Sequence, residues 1–159
     1  MNANEQIVRN LYESFAGKDF AGMAECYHDD ATFQDEAFNL KNGKEVRAMW
    51  NMLIVSGKDL RITFSDIKAD ETSGLAHWEA FYTFSRTGRK VHNIIDATFE
   101  FKDGKIIKHI DSFDFWKWSK QSLGLSGTIL GWSGFLKNKV RTTAMNGLAE
   151  FIKNNPHYQ

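Results

Sequence analysis

The residues best suited to chemistry in this chain are a histidine and two aspartates that close apolar runs. His109 and Asp111 stand two apart in Lys105 to Phe115, a stretch that alternates as a strand does, so both share a face with Ile107 and Phe113. An imidazole beside a carboxyl is an acid/base pair able to move a proton near neutral pH. The plainer alternative for His109 is a hydrogen-bonded core histidine. Asp35 ends a short strand, Ala31 to Asp35, on the parity of Phe33. An Asp in that place can simply form a turn. Set in an apolar hollow, its carboxyl would be pushed up toward neutrality and would suit a general base. Asp96 shares its parity with His92, Thr98 and Glu100, opposite to Asn93 and Ile95. The first set is expected on an outer face and the second facing inward.

The elements that must hold these groups follow from periodicity. Asn4 to Ala16 reads as a helix, with Ile7, Val8, Leu11, Tyr12 and Phe15 as one stripe, Asn4 as its cap and Gly17 as its end. Asp19 caps a second, short helix running through Met23 to Tyr27, and His28-Asp29-Asp30 reads as a turn. Gly43 or Asn42 opens a helix over Lys44 to Val55 that buries Val46, Trp50, Leu53 and Ile54. Four strands follow: Leu60 to Lys68, Gly74 to Ser85, Arg89 to Phe101 and Lys105 to Phe115. Gly74 to Ser85 is the organising one, with Ala76, Trp78, Ala80, Tyr82 and Phe84 on one face and His77, Glu79 and Thr83 on the other. Thr87-Gly88 and Asp103-Gly104 are hairpin turns, so the last three strands form an antiparallel meander. Helices first and a curved antiparallel sheet after them is an α+β arrangement. Trp50, Trp78 and Tyr82 would line a cavity for a flat or apolar ligand, or serve as ordinary core.

Composition narrows the function classes. The chain has 159 residues, enough for one domain with a substantial core. Lys and Arg number 20 and Asp and Glu also 20, so no overall field favours nucleic acid. Cys26 stands alone, which excludes an internal disulfide and a cysteine-based zinc site, and no metal is expected. The amphipathic start, with Glu5 and Arg9, does not read as a signal peptide, and no run of about 18 apolar residues spans a membrane. A cytoplasmic setting is the default expectation.

Several phrases together resemble the NTF2-like superfamily, and within it the SnoaL-like proteins, with ketosteroid isomerases and limonene-epoxide hydrolases as more distant kin. They are Val8-Arg9-Asn10-Leu11-Tyr12, Asp29-Asp30-Ala31-Thr32-Phe33-Gln34-Asp35, Gly88-Arg89-Lys90, Phe99-Glu100-Phe101-Lys102-Asp103-Gly104-Lys105-Ile106 and His109-Ile110-Asp111-Ser112-Phe113-Asp114. The resemblance implies a cone: a bent sheet wrapped on helices, with a pocket at the open end and often a homodimer through the outer sheet face. It divides the chain into residues 1–116, the family domain, and 117–159, a helical extension packed on it.

What the resemblance implies for activity is cofactor-free acid/base chemistry on a small hydrophobic molecule, of isomerase, cyclase or hydratase type. Asp35 matches the isomerases' base, and Asp111 matches the acid that epoxide hydrolases use toward the leaving oxygen. Leu11 stands at the gapless match to the isomerases' phenolic donor, with Tyr12 beside it, and Ala97 stands where their second donor would be, one residue from Asp96. Ala80 and Tyr82 replace the hydrolases' Arg and Asp. The expected catalytic set is Asp35, His109 and Asp111, and the expected pocket lining is Tyr12, Phe33, Trp50, Trp78, Tyr82, Asn93, Ile95 and Phe113. A non-catalytic ligand-binding or dimerisation module on the same fold is the alternative. In the tail, Trp116, Trp118, Leu123, Leu125, Ile129 and Trp132 precede a last helix over Phe135 to Lys153. They can form a lid, an interfacial membrane contact beside Lys137, Lys139 and Arg141, or a packed helical cover, which is the first expectation.

Overall fold

A computed structural model describes residues 1–158. Helices α1 (Ala3–Ala16), α2 (Phe20–Glu25) and α3 (Gly43–Ser56) pack on the inner face of a six-stranded sheet. Its strands are β1 (Tyr27–Gln34), β2 (Asn39–Leu40), β3 (Arg61–Ala69), β4 (Ser73–Phe84), β5 (Arg89–Lys102) and β6 (Lys105–Ser112), in the order β2-β1-β6-β5-β4-β3. The core lies between, with Val8, Leu11, Tyr12, Tyr27, Leu40, Val46 and Ile106 all fully buried. On β4 the expected alternation holds: Ala76, Trp78 and Ala80 are buried.

The sheet is mixed. The meander β3-β4-β5-β6 is antiparallel, but β1 runs parallel to β6. Three register shifts bend it, at Tyr27/Thr32, Ser65/Lys68 and Glu100/Phe101. The last skips Ile107, so Ile106 rather than Ile107 joins the inward row of His109 and Asp111. The hairpin between β5 and β6 uses Asp103 and Gly104, both at positive φ (52° and 71°), as a tight two-residue turn requires.

Two local readings are corrected. His28-Asp29-Asp30 is an outward swelling of β1 rather than a turn before it. Between Tyr27 and Thr32 the strand spends five steps against two on β6, from Ile106 to Lys108. Arg47 holds the swelling through Asp29 at 2.9 Å and the Tyr27 carbonyl at 2.7 Å. The cap of α1 is Asn2, not Asn4. Asn2 and Glu5 exchange bonds in a capping box, while Asn4 donates to the carbonyl of Asp70 at 2.8 Å.

After β6 the chain turns at Asp114, which caps α4 (Phe115–Leu123), followed by α5 (Leu125–Leu130) and α6 (Gly134–Lys153). A second small core of Val91, Phe115, Trp118 and Leu136 joins α4 and α6 to the far ends of β4 and β5, and Tyr82 and Phe113 touch both cores. Leu148 of α6 is sealed in the main core, and burying such a side chain contributes about 1.5–3 kcal/mol. α5 lies on α4 at backbone distance: a Cβ on Gly127 would come within 1.9 Å of the Ser119 carbonyl oxygen. Among the described residues no helix is long and apolar enough to cross a membrane.

Candidate functional site

β6 brings His109 and Asp111 together under the cone. Both are almost fully buried, and His109 Nε2 lies 2.8 Å from Asp111 Oδ1. Residues two apart on a strand share a face without having to touch, and here the bent sheet closes the gap. On the other side of the ring, Tyr27 Oη lies 2.8 Å from His109 Nδ1, and Trp50 Nε1 donates to that same oxygen at 2.9 Å. Trp78 Nε1 donates to Asp111 Oδ1 at 3.3 Å.

Hydrogen-bond polarity fixes the direction of this chain. The two indoles can only donate. The Tyr27 oxygen accepts from Trp50, and the arrangement that leaves every donor an acceptor turns its own proton to His109 Nδ1. The His109 proton then sits on Nε2 and points to Asp111. Burial holds the Tyr27 phenol well above its ordinary range, with the nearby Asp111 charge adding to the effect, so Tyr27 stays a donor. Tyr27 was not anticipated from sequence. It lies just before the swelling of β1, where alternation fails and parity says nothing about its direction.

Asp35 follows β1. Its Oδ1 accepts the backbone N–H groups of Ala37 at 2.7 Å and Phe38 at 2.6 Å. It is therefore a turn-forming Asp, as the plainer reading had it. It is also a perturbed acid. Desolvation pushes its carboxyl up from 3.8 to about 7 against the pull of the two N–H groups, and the Asp111 and Glu36 charges push the same way. Lys137 pairs with Glu36, and Arg141 Nε donates to the Glu36 carbonyl at 3.0 Å, so α6 clamps the loop that carries Asp35.

The expected lining residues divide in two. Tyr12, Phe33, Trp50, Trp78 and Ile95 are core. Phe33 meets Trp50 at 5.5 Å between ring centroids, Trp50 meets Trp78 at 6.3 Å, and Tyr12 meets Trp78 at 5.9 Å. Rings therefore fill the deep end of the cone. Tyr82, Asn93 and Phe113 are half-buried, as Asp35 is. Tyr82 accepts from Trp118 Nε1 at 2.8 Å, and its phenol is raised chiefly by burial, with the Asp35 charge contributing. Tyr12 is fully buried, and its hydroxyl finds no partner among the described residues. Burial and the Asp111 charge hold that phenol well above its usual range.

The outer face carries a different set. His77 Nδ1 lies 2.8 Å from Asp96 and His92 Nε2 lies 2.9 Å from Glu79, across the β4–β5 pairing. Asp96 is largely exposed, as its parity required. Two open grooves lie away from the acids. One, of about 540 Å³, is lined by Lys68, Asp70, Leu75 and Lys108 among others, and one of about 290 Å³ by Arg61, Phe81 and His92 among others.

The SnoaL-like domain family matches residues 8–109. The chain belongs to that family. Solved structures share the fold. An LEH-like epoxide hydrolase of M. tuberculosis superposes with a TM-score of 0.64 at 18% identity, covering 80% of this chain and 96% of that one. IdmH of Streptomyces antibioticus, a candidate polyketide cyclase, gives 0.63 at 20% identity over 77% and 99%. An NTF2-like protein of unknown function from Burkholderia pseudomallei gives 0.63 at 19% over 72% and 92%. At these identities the likeness is one of fold. No curated protein matches the chain.

Proposed function

We propose that this SnoaL-like protein is a cofactor-free acid/base catalyst for a small hydrophobic molecule bearing a carbonyl or a strained ring. The observation that carries the reading is Asp35, held by two backbone N–H groups at one oxygen and raised to about 7, chiefly by burial, on a fold that also buries His109 and Asp111. Asp35 is the base. One of its oxygens is tied to two backbone N–H groups, and no protein donor among the described residues reaches the other. His109 and Asp111 are the second acid/base pair: Asp111 accepts from His109 and Trp78 at Oδ1, and acts as a donor to the ligand through Oδ2 only after taking up a proton, with Tyr27 on the far side of the imidazole. Tyr82 and Asn93 position the ligand. The orphaned hydroxyl of Tyr12, whose phenol feels the Asp111 charge, is a further donor for a developing negative oxygen.

The ring-filled cone favours a second reading, a ligand-binding or dimerisation module with no turnover. Proton exchange separates the two without knowledge of the natural substrate. Small cyclic ketones incubated with the protein in deuterated water are followed by NMR for loss of the protons beside the carbonyl. Catalysis predicts exchange that falls about 10²–10⁴-fold in Asp35→Asn. Binding without exchange, or exchange indifferent to Asp35→Asn, rejects the base assignment. A homodimer through the outer face of β3–β5 belongs to the same proposal, and its check is the mass in solution.

A further inference from the structure

The surface built by α4, α5 and the start of α6 is unlike the rest of the molecule. Leu125 is 76% exposed, Trp132 78% and Phe135 72%, with Ile129, Leu130 and Trp116 also open to solvent. Side chains this large and apolar, gathered in one place, mark an interaction site. They are gathered. Trp116 Nε1 donates to the Thr128 carbonyl at 3.1 Å, which ties α4 to α5, and Leu125, Ile129 and Trp132 follow one another at helical spacing.

The charge around the patch has one sign. Residues 115–149 contain Lys117, Lys120, Lys137, Lys139 and Arg141 and no Asp or Glu, leaving 15 Lys and Arg against 20 Asp and Glu in the rest of the chain. Lys117 and Lys139 are exposed and form no ion pair among the described residues. Lys120 lies over the Trp116 ring, 3.9 Å from its centroid.

We infer that this surface docks on an anionic lipid bilayer, with Leu125, Ile129, Trp132 and Phe135 entering the interface and Lys117, Lys120 and Lys139 meeting acidic headgroups. Tryptophan beside lysine, on a short helix that presents its apolar side outward, fits the boundary between headgroups and acyl chains. A second copy of the chain fits poorly. A twofold contact would set this cationic surface against itself. The inference does not depend on the acids of the cone doing chemistry.

The test is sedimentation of the full chain with vesicles of phosphatidylcholine alone and of phosphatidylcholine mixed with phosphatidylserine. Binding to the mixed vesicles is expected to be at least about tenfold tighter and to weaken with salt. The double variant Trp132→Ser/Phe135→Ser is expected to lose it. Lys117→Gln and Lys139→Gln should each lower it roughly fivefold. All four positions are exposed, so an unchanged unfolding midpoint verifies that the fold is intact. The inference is overturned if neither vesicle binds, if binding ignores the phosphatidylserine, or if the double variant sediments like the parent. Capture by soluble polyglutamate without vesicle binding overturns it too, and so does self-association that Trp132→Ser abolishes.

Discussion

The two faces of one sheet carry the same residue types and give them different work. Inside, His109 and Asp111 are buried between Tyr27, Trp50 and Trp78, and their bonds run to rings held in place by packing. Outside, His77, Glu79, His92 and Asp96 make bonds just as short but stand partly or largely in water. Bond length is the same on both faces, and only desolvation differs. Water replaces a lost partner outside and cannot do so inside.

His109→Ala should break that contrast most visibly. It leaves Asp111 and Tyr27 without their partner in the core and should cost about 3–5 kcal/mol, read from urea unfolding. Asp35 gives the next largest effect, through pH. Its carboxyl holds a proton in the folded state up to about 7 but releases it near 3.8 when unfolded. The folded state therefore binds more protons between these values, and stability falls as pH rises through that window. Asp35→Asn removes this slope, so the variant gains on the parent by on the order of 2–4 kcal/mol between acid and neutral pH, read from unfolding midpoints across that range. Tyr27→Phe keeps the ring but orphans Trp50 Nε1 and His109 Nδ1, and a loss of about 1–3 kcal/mol is expected in the same assay. The smallest change is outside. Asp96 and Glu79 raise the His77 ring above its ordinary value, so that contribution is present at acid pH and is lost as pH rises through the folded value. Asp96→Asn should remove less than about 1 kcal/mol, and added salt should erase even that. If Asp96→Asn proves as damaging as His109→Ala, the outer quartet is covered rather than wet.

The antiparallel meander was readable because its signals are local: alternation along each strand and an Asp-Gly turn between two of them. The parallel contact of β1 with β6 joins segments some eighty residues apart, through a strand whose middle breaks period, and no short-range pattern reports it. For the same reason Asp35, His109 and Asp111 could each be named, and His109 and Asp111 assigned a common face, while Tyr27 went unseen. That Phe33, Trp50 and Trp78 pack against one another rather than around a wide hollow depends on ring orientation, which residue spacing does not encode. In the tail, the apolar residues were evident, but which of them would be covered was settled only by the close seat of α5 on α4.

That seat has a consequence for how the sequence tolerates change. Gly127 lies on a solvent-facing helix, yet any side chain there meets main-chain atoms of Ser119 and Lys120, which cannot swing aside. A saturation library would therefore find Gly127, buried on a helix whose neighbouring residues are exposed, among the least forgiving positions of the tail. Its neighbours Ser126 and Thr128, both pointing to solvent, should accept most replacements.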